Sequence, residues 1–332
     1  MAGRPSARTF LLPLAWLVAA GVIAVGAALI VANLDPASAA ARPELTSVAD
    51  AAATTTLDAA AAQLQAETES AARLQAAAKQ AIARALAGDP AGVETALRGG
   101  TAALLAADAA STAFDTAIAA VSGMGANRET RLSPRVIARY DALLADQGLA
   151  TGLDAEWTVF TGRVGQVVTV AGVLGRHDTE TAAATALGAA GKYADAIKAL
   201  DRPQATLDEI GAMRNVLSAT VDVHTLTTWI DEHVAYDAAL RNLYAALVAS
   251  NGAVTDAVKA AGAAEAAARA MLPADTRMLT LILSDVAQGG ANQHAVAIAG
   301  IHDALAAALD AQARLAASPA PSVAPASAAP PG

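Results

Sequence analysis

Residues 44–86 read ELTSVADAAATTTLDAAAAQLQAETESAARLQAAAKQAIARAL and decide the fold class of this chain. The segment contains no Gly or Pro and is rich in Ala, Leu, Gln and Glu, which are strong helix formers. Its small and apolar side chains recur every seven residues, with a second series offset by three. This spacing predicts a long helix with a heptad-like seam along one face. The seam consists of Leu57, Leu64, Ala71, Ala78 and Ala85, with Leu74 and Ala81 in the offset series.

The rest of the chain repeats this composition between explicit stops. The Gly-Asp-Pro at 88–90 ends the first helix, and the Gly pair at 99–100 marks a further break before a helix at about 101–121. Only 158–170 holds enough β-branched residues for a strand to compete with a helix. The remaining helices are predicted at about 134–148, 152–175, 179–200, 204–220, 222–250, 254–271, 275–288 and 291–316.

These helices predict an all-α protein, an Ala-rich antiparallel multi-helix bundle. We divide it into a hairpin of long helices at 44–122 and a main helical bundle at 134–316, because the stretch between them is polar, contains Gly and ends in Ser-Pro. Residues 317–332 read ASPAPSVAPASAAPPG and bury too little apolar surface to offset the entropy of ordering. We expect this Pro/Ala-rich tail to be disordered.

The composition excludes several classes of site. The 332 residues include 97 alanines and no cysteine, and the formal net charge is −9. The missing thiols exclude disulfides, Cys-ligated zinc, iron–sulfur clusters and a cysteine nucleophile. The acidic balance argues against nucleic acid as a partner. Each alanine side chain buries little area, so the stability of the fold must come from many close contacts along long helices.

The N-terminus carries the strongest targeting signal. Residues 10–32 read FLLPLAWLVAAGVIAVGAALIVA without a charge, which is long enough for a hydrocarbon core about 30 Å thick. Arg4 and Arg8 precede this run and indicate that the N-terminus stays in the cytoplasm. We therefore predict a cytoplasmic segment at 1–9, a transmembrane signal-anchor in the lipid bilayer at 10–33, a linker at 34–43 and an extracytoplasmic domain.

A cleaved signal peptide is the alternative. Ala37, Ser38 and Ala39 form a small-residue cleavage site, and Pro13 shortens the apolar core. Against cleavage, the uncharged run is longer than the roughly 7–15 residues of a typical signal core. Cleavage near Ala39 would release the same domain as a secreted protein.

Aromatic, histidine and acidic side chains are most concentrated at 222–244, which reads DVHTLTTWIDEHVAYDAALRNLY. On a helix, the bulky side chains of this segment fall on one stripe, which we predict to be a buried core face. Trp229, His233 and Tyr236 on the stripe are also the candidate contacts for a ligand or partner. The whole stripe comprises Leu226, Trp229, His233, Tyr236, Leu240, Leu243 and Leu247.

The other histidines define no metal site by their spacing. His224 is nine residues from His233 and points to the opposite helix face, so the two cannot share an ion. His294 and His302 lie eight residues apart, but no third ligand is fixed by the spacing. We therefore predict neither a metal nor a cofactor. The acids of the 222–244 segment are expected to be solvated: Asp231, Glu232 and Asp237.

The sequence contains no Gly-x-Ser-x-Gly, phosphate loop, His-Glu-x-x-His or dinucleotide fingerprint, so we do not expect an enzyme. We expect a non-catalytic, membrane-anchored scaffold or interaction module of a bacterial cell envelope, whose partner is an unknown envelope protein. The alternative is an extracytoplasmic helical bundle that binds a small ligand in the 229–244 region. Convergent polar groups in a cavity would favour this alternative, whereas a filled core with an exposed apolar stripe would favour the module.

Overall fold

The computed structural model of the chain describes residues 43–122, 132–272 and 277–317. Of these residues 88% lie in helices and none in strands, which confirms the all-α prediction. In chain order the helices are α1 (Pro43–Leu86), α2 (Pro90–Ser122), α3 (Pro134–Ala145), α4 (Leu153–Ala189), α5 (Tyr193–Ala199), α6 (Asp201–Leu217), α7 (His224–Ala249), α8 (Asp256–Met271), α9 (Arg277–Gln288) and α10 (Ala291–Ala317).

Several predicted features lie wholly or mostly outside the described residues. They are the cytoplasmic segment 1–9, the transmembrane segment 10–33, the linker 34–43 up to Pro43, and the tail 317–332 beyond Ala317. The helix α1 begins at Pro43, and α10 ends at Ala317.

The seam predicted on α1 is buried. Leu57, Leu64 and Leu74 have no exposed surface, and Ala85 is 3% exposed. The heptad-like spacing therefore identified the inner face of this helix correctly, because the same face returns every seven residues. The predicted stop is also confirmed, since Gly88 has a φ of 67°, in the left-handed region that favours glycine at a helix end.

The described chain divides into two compact units. Unit 1 comprises 43–74, 102–122, 132–153 and 298–317, so it takes residues from α1, α2, α3 and α10. In unit 1, Ser122 bonds to Tyr140 and Asp115 bonds to Gln147, which makes α2 and α3 antiparallel. Its buried side chains are mostly apolar, such as Leu57, Leu64 and Phe114, but they also include Glu67, Thr68, Ser70 and Gln312.

Unit 2 comprises 75–101, 154–272 and 277–297. Its central helix is α7, which packs against α5, α6, α8 and α9. The stripe predicted on α7 is largely confirmed: Leu226, Trp229, His233, Tyr236 and Leu240 are buried, while Leu243 and Leu247 are partly buried against the same core. Because α1, α2 and α10 contribute to both units, the units follow packing and not the chain order used to predict 44–122 and 134–316.

The break predicted at the Gly pair 99–100 is wrong, because α2 runs through it without interruption. A Cβ atom at Gly100 would overlap the ring of Trp157, whereas a Cβ at Gly99 would meet nothing within 4 Å. The Trp157 indole N–H donates to Thr101 Oγ1 at 3.2 Å. Gly100 therefore makes room for a ring against the helix backbone and does not end the helix.

The break predicted between 175 and 179 is also wrong. The helix α4 continues to Ala189, and Thr179 Oγ1 donates to the Gly175 carbonyl at 2.8 Å, one turn back. The stretch 158–170, where a strand competed, lies within α4 as well. Packing explains this outcome, because Phe160 and Val164 are fully buried on one face of the helix and override local β preference.

Two of the described helices, α2 and α4, are long and apolar enough to cross a membrane by length and composition alone. The core helix of a globular protein meets the same criterion. Both helices contribute buried side chains to the units, such as Ile118 from α2 and Val167 from α4. In each helix, 33% of the most apolar window is buried.

Candidate functional site

Helices α4 and α7 bring together most of the buried ionisable side chains of unit 2. His177 on α4 bonds to Asp237 on α7, and Gly188 lies against the ring of Tyr244. Residue numbers rise together along the two helices, so α4 and α7 run parallel. We call His177, Asp178, His233 and Asp237 the His–Asp cluster.

His177 is fully buried within the cluster. Its Nε2 lies 3.1 Å from Asp237 Oδ2, and because an ionised carboxylate only accepts, Nε2–H donates this bond. Among the described residues, Nδ1 of His177 has no hydrogen-bond partner, and Asp178 Oδ1 lies 3.6 Å from it. This nitrogen is therefore within ion-pair range of Asp178 but makes no hydrogen bond of normal length.

Asp237 is 3% exposed, so the prediction that it is a solvated acid is wrong. Its Oδ2 accepts from His177, and its Oδ1 lies 3.5 Å from Thr181 Oγ1. These partners on α4 offset the unfavourable free energy of burying the carboxylate, because a buried acid without hydrogen bonds is strongly unfavourable. Burial lowers the pKa of His177, but its interactions with Asp178 and Asp237 outweigh this effect and raise the pKa to about 9.

His233 faces His177 from α7 and is 7% exposed. Its Nδ1–H donates to the Trp229 carbonyl at 2.7 Å, one turn earlier on the helix. The Trp229 ring stacks on the His233 ring with centroids 3.8 Å apart, and the His177 ring meets His233 edge-on at 5.1 Å. Burial lowers the pKa of His233, so the neutral ring with its lone pair on Nε2 is the favoured form at neutral pH.

Asp178 is the exposed member of the cluster, since 52% of its side chain is accessible. One nitrogen from each of His177 and His233 and one carboxylate oxygen of Asp178 all lie within 4.8 Å of one another. Imidazole nitrogens and carboxylate oxygens are ligand types of divalent transition metals. The cluster therefore has the chemistry of a site for a small cation.

The burial of the neighbouring rings restricts what the cluster could bind. Trp229 is 2% exposed and Tyr236 is 9% exposed, so neither presents a surface to an organic molecule that arrives from solvent.

No family model, curated protein or solved structure matches this chain.

The three predicted contacts do not form one site. Trp229 and His233 stack at the His–Asp cluster, as described above. Tyr236 lies in a different part of the unit 2 core, where it packs with Leu200, Leu240 and Tyr244. Burial and the charge of Glu265 raise its pKa. Tyr236 is therefore a core residue.

The remaining histidines pair elsewhere. His294 Nδ1 lies 2.6 Å from Glu156 Oε2, and His302 Nδ1 lies 3.1 Å from Asp303 Oδ1. His224 is exposed at the first turn of α7. Each of His294 and His302 thus has its own neighbouring acid.

Sequence reasoning missed His177, Asp178 and Asp237. The predicted break after residue 175 left His177 without a helix face, and its partner Asp237 lies 60 residues away in sequence. A signal was present in the spacing. His233 and Asp237 lie four residues apart and so share one helix face, as do His177 and Thr181.

Proposed function

We propose that the protein is a membrane-anchored, extracytoplasmic helical module of a bacterial cell envelope that acts by binding another protein and not by catalysis. The observation that carries this proposal is an exposed stripe on α2. Its residues are uncharged, follow one another at intervals of three or four, and are all exposed: Ala102, Leu105, Ala109, Thr112, Thr116 and Ala120. We call this surface the α2 stripe.

The α2 stripe has the dimensions of a helix-binding surface. At 1.5 Å per residue it extends about 27 Å along α2, which is five turns of helix. Intervals of three or four residues keep its members on one side, as in the seam of a coiled coil. Leu105 within the stripe is 65% exposed and is its largest apolar side chain.

The side chains of the α2 stripe suit a partner helix. Ala102, Ala109 and Ala120 are small and would let the backbones of two helices approach closely. The Thr116 hydroxyl donates to the Thr112 carbonyl at 2.8 Å on its own helix, so this polar group is already satisfied. The partner that fits is therefore a helix of another envelope protein with a small or apolar face.

The membrane anchor rests on the sequence. The uncharged run 10–32 with Arg4 and Arg8 before it supports a retained transmembrane helix and an extracytoplasmic domain. N-terminal sequencing of the protein purified from membranes tests this part. A retained start near Met1 is expected, and a mature start at Ala40 would make the protein secreted.

The small-ligand alternative receives less support. Two of its three predicted contacts, Trp229 and His233, are buried against each other, and Tyr236 belongs to the core. Their burial supports the interpretation that all three side chains stabilise the fold of the proposed module.

Site-specific cross-linking of the full chain tests the binding proposal. A photoreactive residue at position 109 should give one discrete adduct with another envelope protein in membranes of the source organism. The substitution Leu105→Asp should reduce this adduct at least about tenfold, because it places a charge in the apolar contact. Val216→Asp is the matched control, since Val216 on α6 is 73% exposed and off the stripe.

Three cross-linking results would contradict the proposed binding surface or partner. No adduct from position 109, or an adduct that Leu105→Asp leaves unchanged, would overturn the α2 stripe as the binding surface. An adduct between two copies of this chain would replace the partner protein with self-association. Val216→Asp should leave the adduct unchanged.

A further inference from the structure

The His–Asp cluster carries an inference that goes beyond partner binding. Its three candidate ligand atoms come from His177 and Asp178 on α4 and from His233 on α7. Both histidines are more than nine-tenths buried, whereas Asp178 reaches solvent. Two buried rings and one exposed carboxylate thus converge in unit 2, with one ligand atom of each within 4.8 Å of the others.

The hydrogen bonds of the cluster orient the rings as in a metal site. Metal-bound histidines usually donate their second ring N–H to a carboxylate or a backbone carbonyl. Here Nε2–H of His177 donates to Asp237 at 3.1 Å, and Nδ1–H of His233 donates to the Trp229 carbonyl at 2.7 Å. The ring positions that remain are Nδ1 of His177 and Nε2 of His233. Nδ1 must lose its proton to bind an ion, because burial lowers the pKa of His177 but the interactions with Asp178 and Asp237 outweigh this effect and raise the pKa to about 9.

The unpartnered nitrogen is the independent observation. Among the described residues, Nδ1 of the fully buried His177 accepts and donates no hydrogen bond. Such an atom is unfavourable to bury unless a ligand or a charged neighbour interacts with it. Asp178 Oδ1, at 3.6 Å from this nitrogen, is already close to the spacing of about 3.4 Å between two ligands of a tetrahedral ion with bonds of about 2.0–2.1 Å.

We propose that His177 Nδ1, His233 Nε2 and a carboxylate oxygen of Asp178 bind one divalent transition-metal ion of the zinc class. Two imidazoles and one carboxylate favour Zn²⁺ over Mg²⁺ and Ca²⁺, which prefer all-oxygen sites. Three protein ligands leave a fourth tetrahedral position for water on the side of Asp178. Asp237 acts as a positioning residue, because it fixes the His177 ring without touching the ion.

Titration calorimetry of the full chain in detergent tests the site. The protein is purified with an affinity tag that contains no histidine, so that the tag itself does not bind zinc. Bound metals are first removed with a chelator. Zinc chloride should bind with a stoichiometry of about one per chain, while magnesium chloride should give no heat of binding at the same concentration. Cobalt chloride should give the visible absorption of a tetrahedral Co²⁺ complex.

Substitutions assign the ligands. Asp178→Asn should weaken zinc binding at least about tenfold and, because the side chain is half exposed, should leave the helical circular dichroism unchanged. His233→Gln should abolish the tetrahedral Co²⁺ spectrum. The matched controls are Asp231→Asn and His224→Gln, an exposed acid and an exposed histidine on α7, which should bind zinc like the unaltered chain.

Two results would overturn the proposal. One is the absence of zinc binding by the unaltered chain at millimolar protein and metal concentrations. The other is equal zinc affinity in the unaltered chain and in Asp178→Asn, with an unchanged Co²⁺ spectrum. If His233→Gln fails to fold, Asp178→Asn decides the matter alone. Neither result bears on the α2 stripe, whose cross-linking is measured separately.

Discussion

The cores of the two units are built from different side chains. In unit 1 the buried face of α1 consists of residues such as Leu57, Leu64 and Ala71, repeated at regular intervals. In unit 2 one of the largest buried side chains is that of Trp229, whose ring packs with His177 and His233. A core of small apolar groups spreads its stabilisation over many equal contacts, whereas a core built around rings concentrates it in a few positions. The substitutions below test this difference.

The largest expected effect is that of Trp229→Ala. Trp229 is 2% exposed and contacts both buried histidines, so its removal leaves a void that neighbouring alanines cannot fill. We expect the free energy of unfolding to fall by about 3–5 kcal/mol. Ala71→Gly in the α1 seam should cost only about 1–2 kcal/mol, from lost helix propensity and one buried methyl group. Urea unfolding of the full chain measures both, and equal costs would remove the contrast between the two cores.

The next effect separates two adjacent glycines of α2. Gly100→Ala places a methyl group inside the ring of Trp157, and we expect the overpacking to lower the free energy of unfolding by about 1–3 kcal/mol. Gly99→Ala meets open space and should instead raise it by about 0.5–1 kcal/mol, because alanine favours the helix. Opposite signs in urea unfolding are expected. If both substitutions stabilise the chain, the Trp157 ring does not depend on Gly100.

The smallest effect concerns a carboxyl group in unit 1. Burial raises the pKa of Asp146 to about 6 from its ordinary value of 3.8, against the opposing hydrogen bond from Gln312. Because the folded pKa is the higher one, the group favours folding when protonated, and this contribution is lost as the pH rises from about 4 through 6. Asp146→Asn should therefore raise the free energy of unfolding by about 1 kcal/mol at neutral pH and by less at pH near 4.

Unfolding of the Asp146→Asn variant at the two pH values checks this expectation. Gln312 Oε1 is buried without a partner among the described residues, so an amide at position 146 also gives it a donor to accept from. The exposed Asp231→Asn is the control and should show no such dependence on pH. A gain that is equal at both pH values would mean that packing, and not charge, accounts for it.

The sequence was sufficient to predict which side chains are buried wherever the apolar pattern repeats along a single helix. The α1 seam and the stripe on α7 repeat along one helix, so their burial could be predicted from spacing alone. The His–Asp cluster and the Gly100–Trp157 contact could not, because each joins residues about 60 positions apart. A glycine pair and a polar Arg-His-Asp run also have the local composition of a break. Only the packed partner shows that they lie inside continuous helices.

The close contact of Trp157 with Gly100 has a consequence for how this chain can change over generations. A single base change converts a glycine codon into an alanine codon, and 97 of the 332 residues are already alanine. At Gly99 the exchange meets open space, whereas at Gly100 and at Gly188, which faces the Tyr244 ring, it meets an aromatic side chain. Genomic drift towards alanine would therefore stop at these two glycines unless the ring opposite each of them changed at the same time.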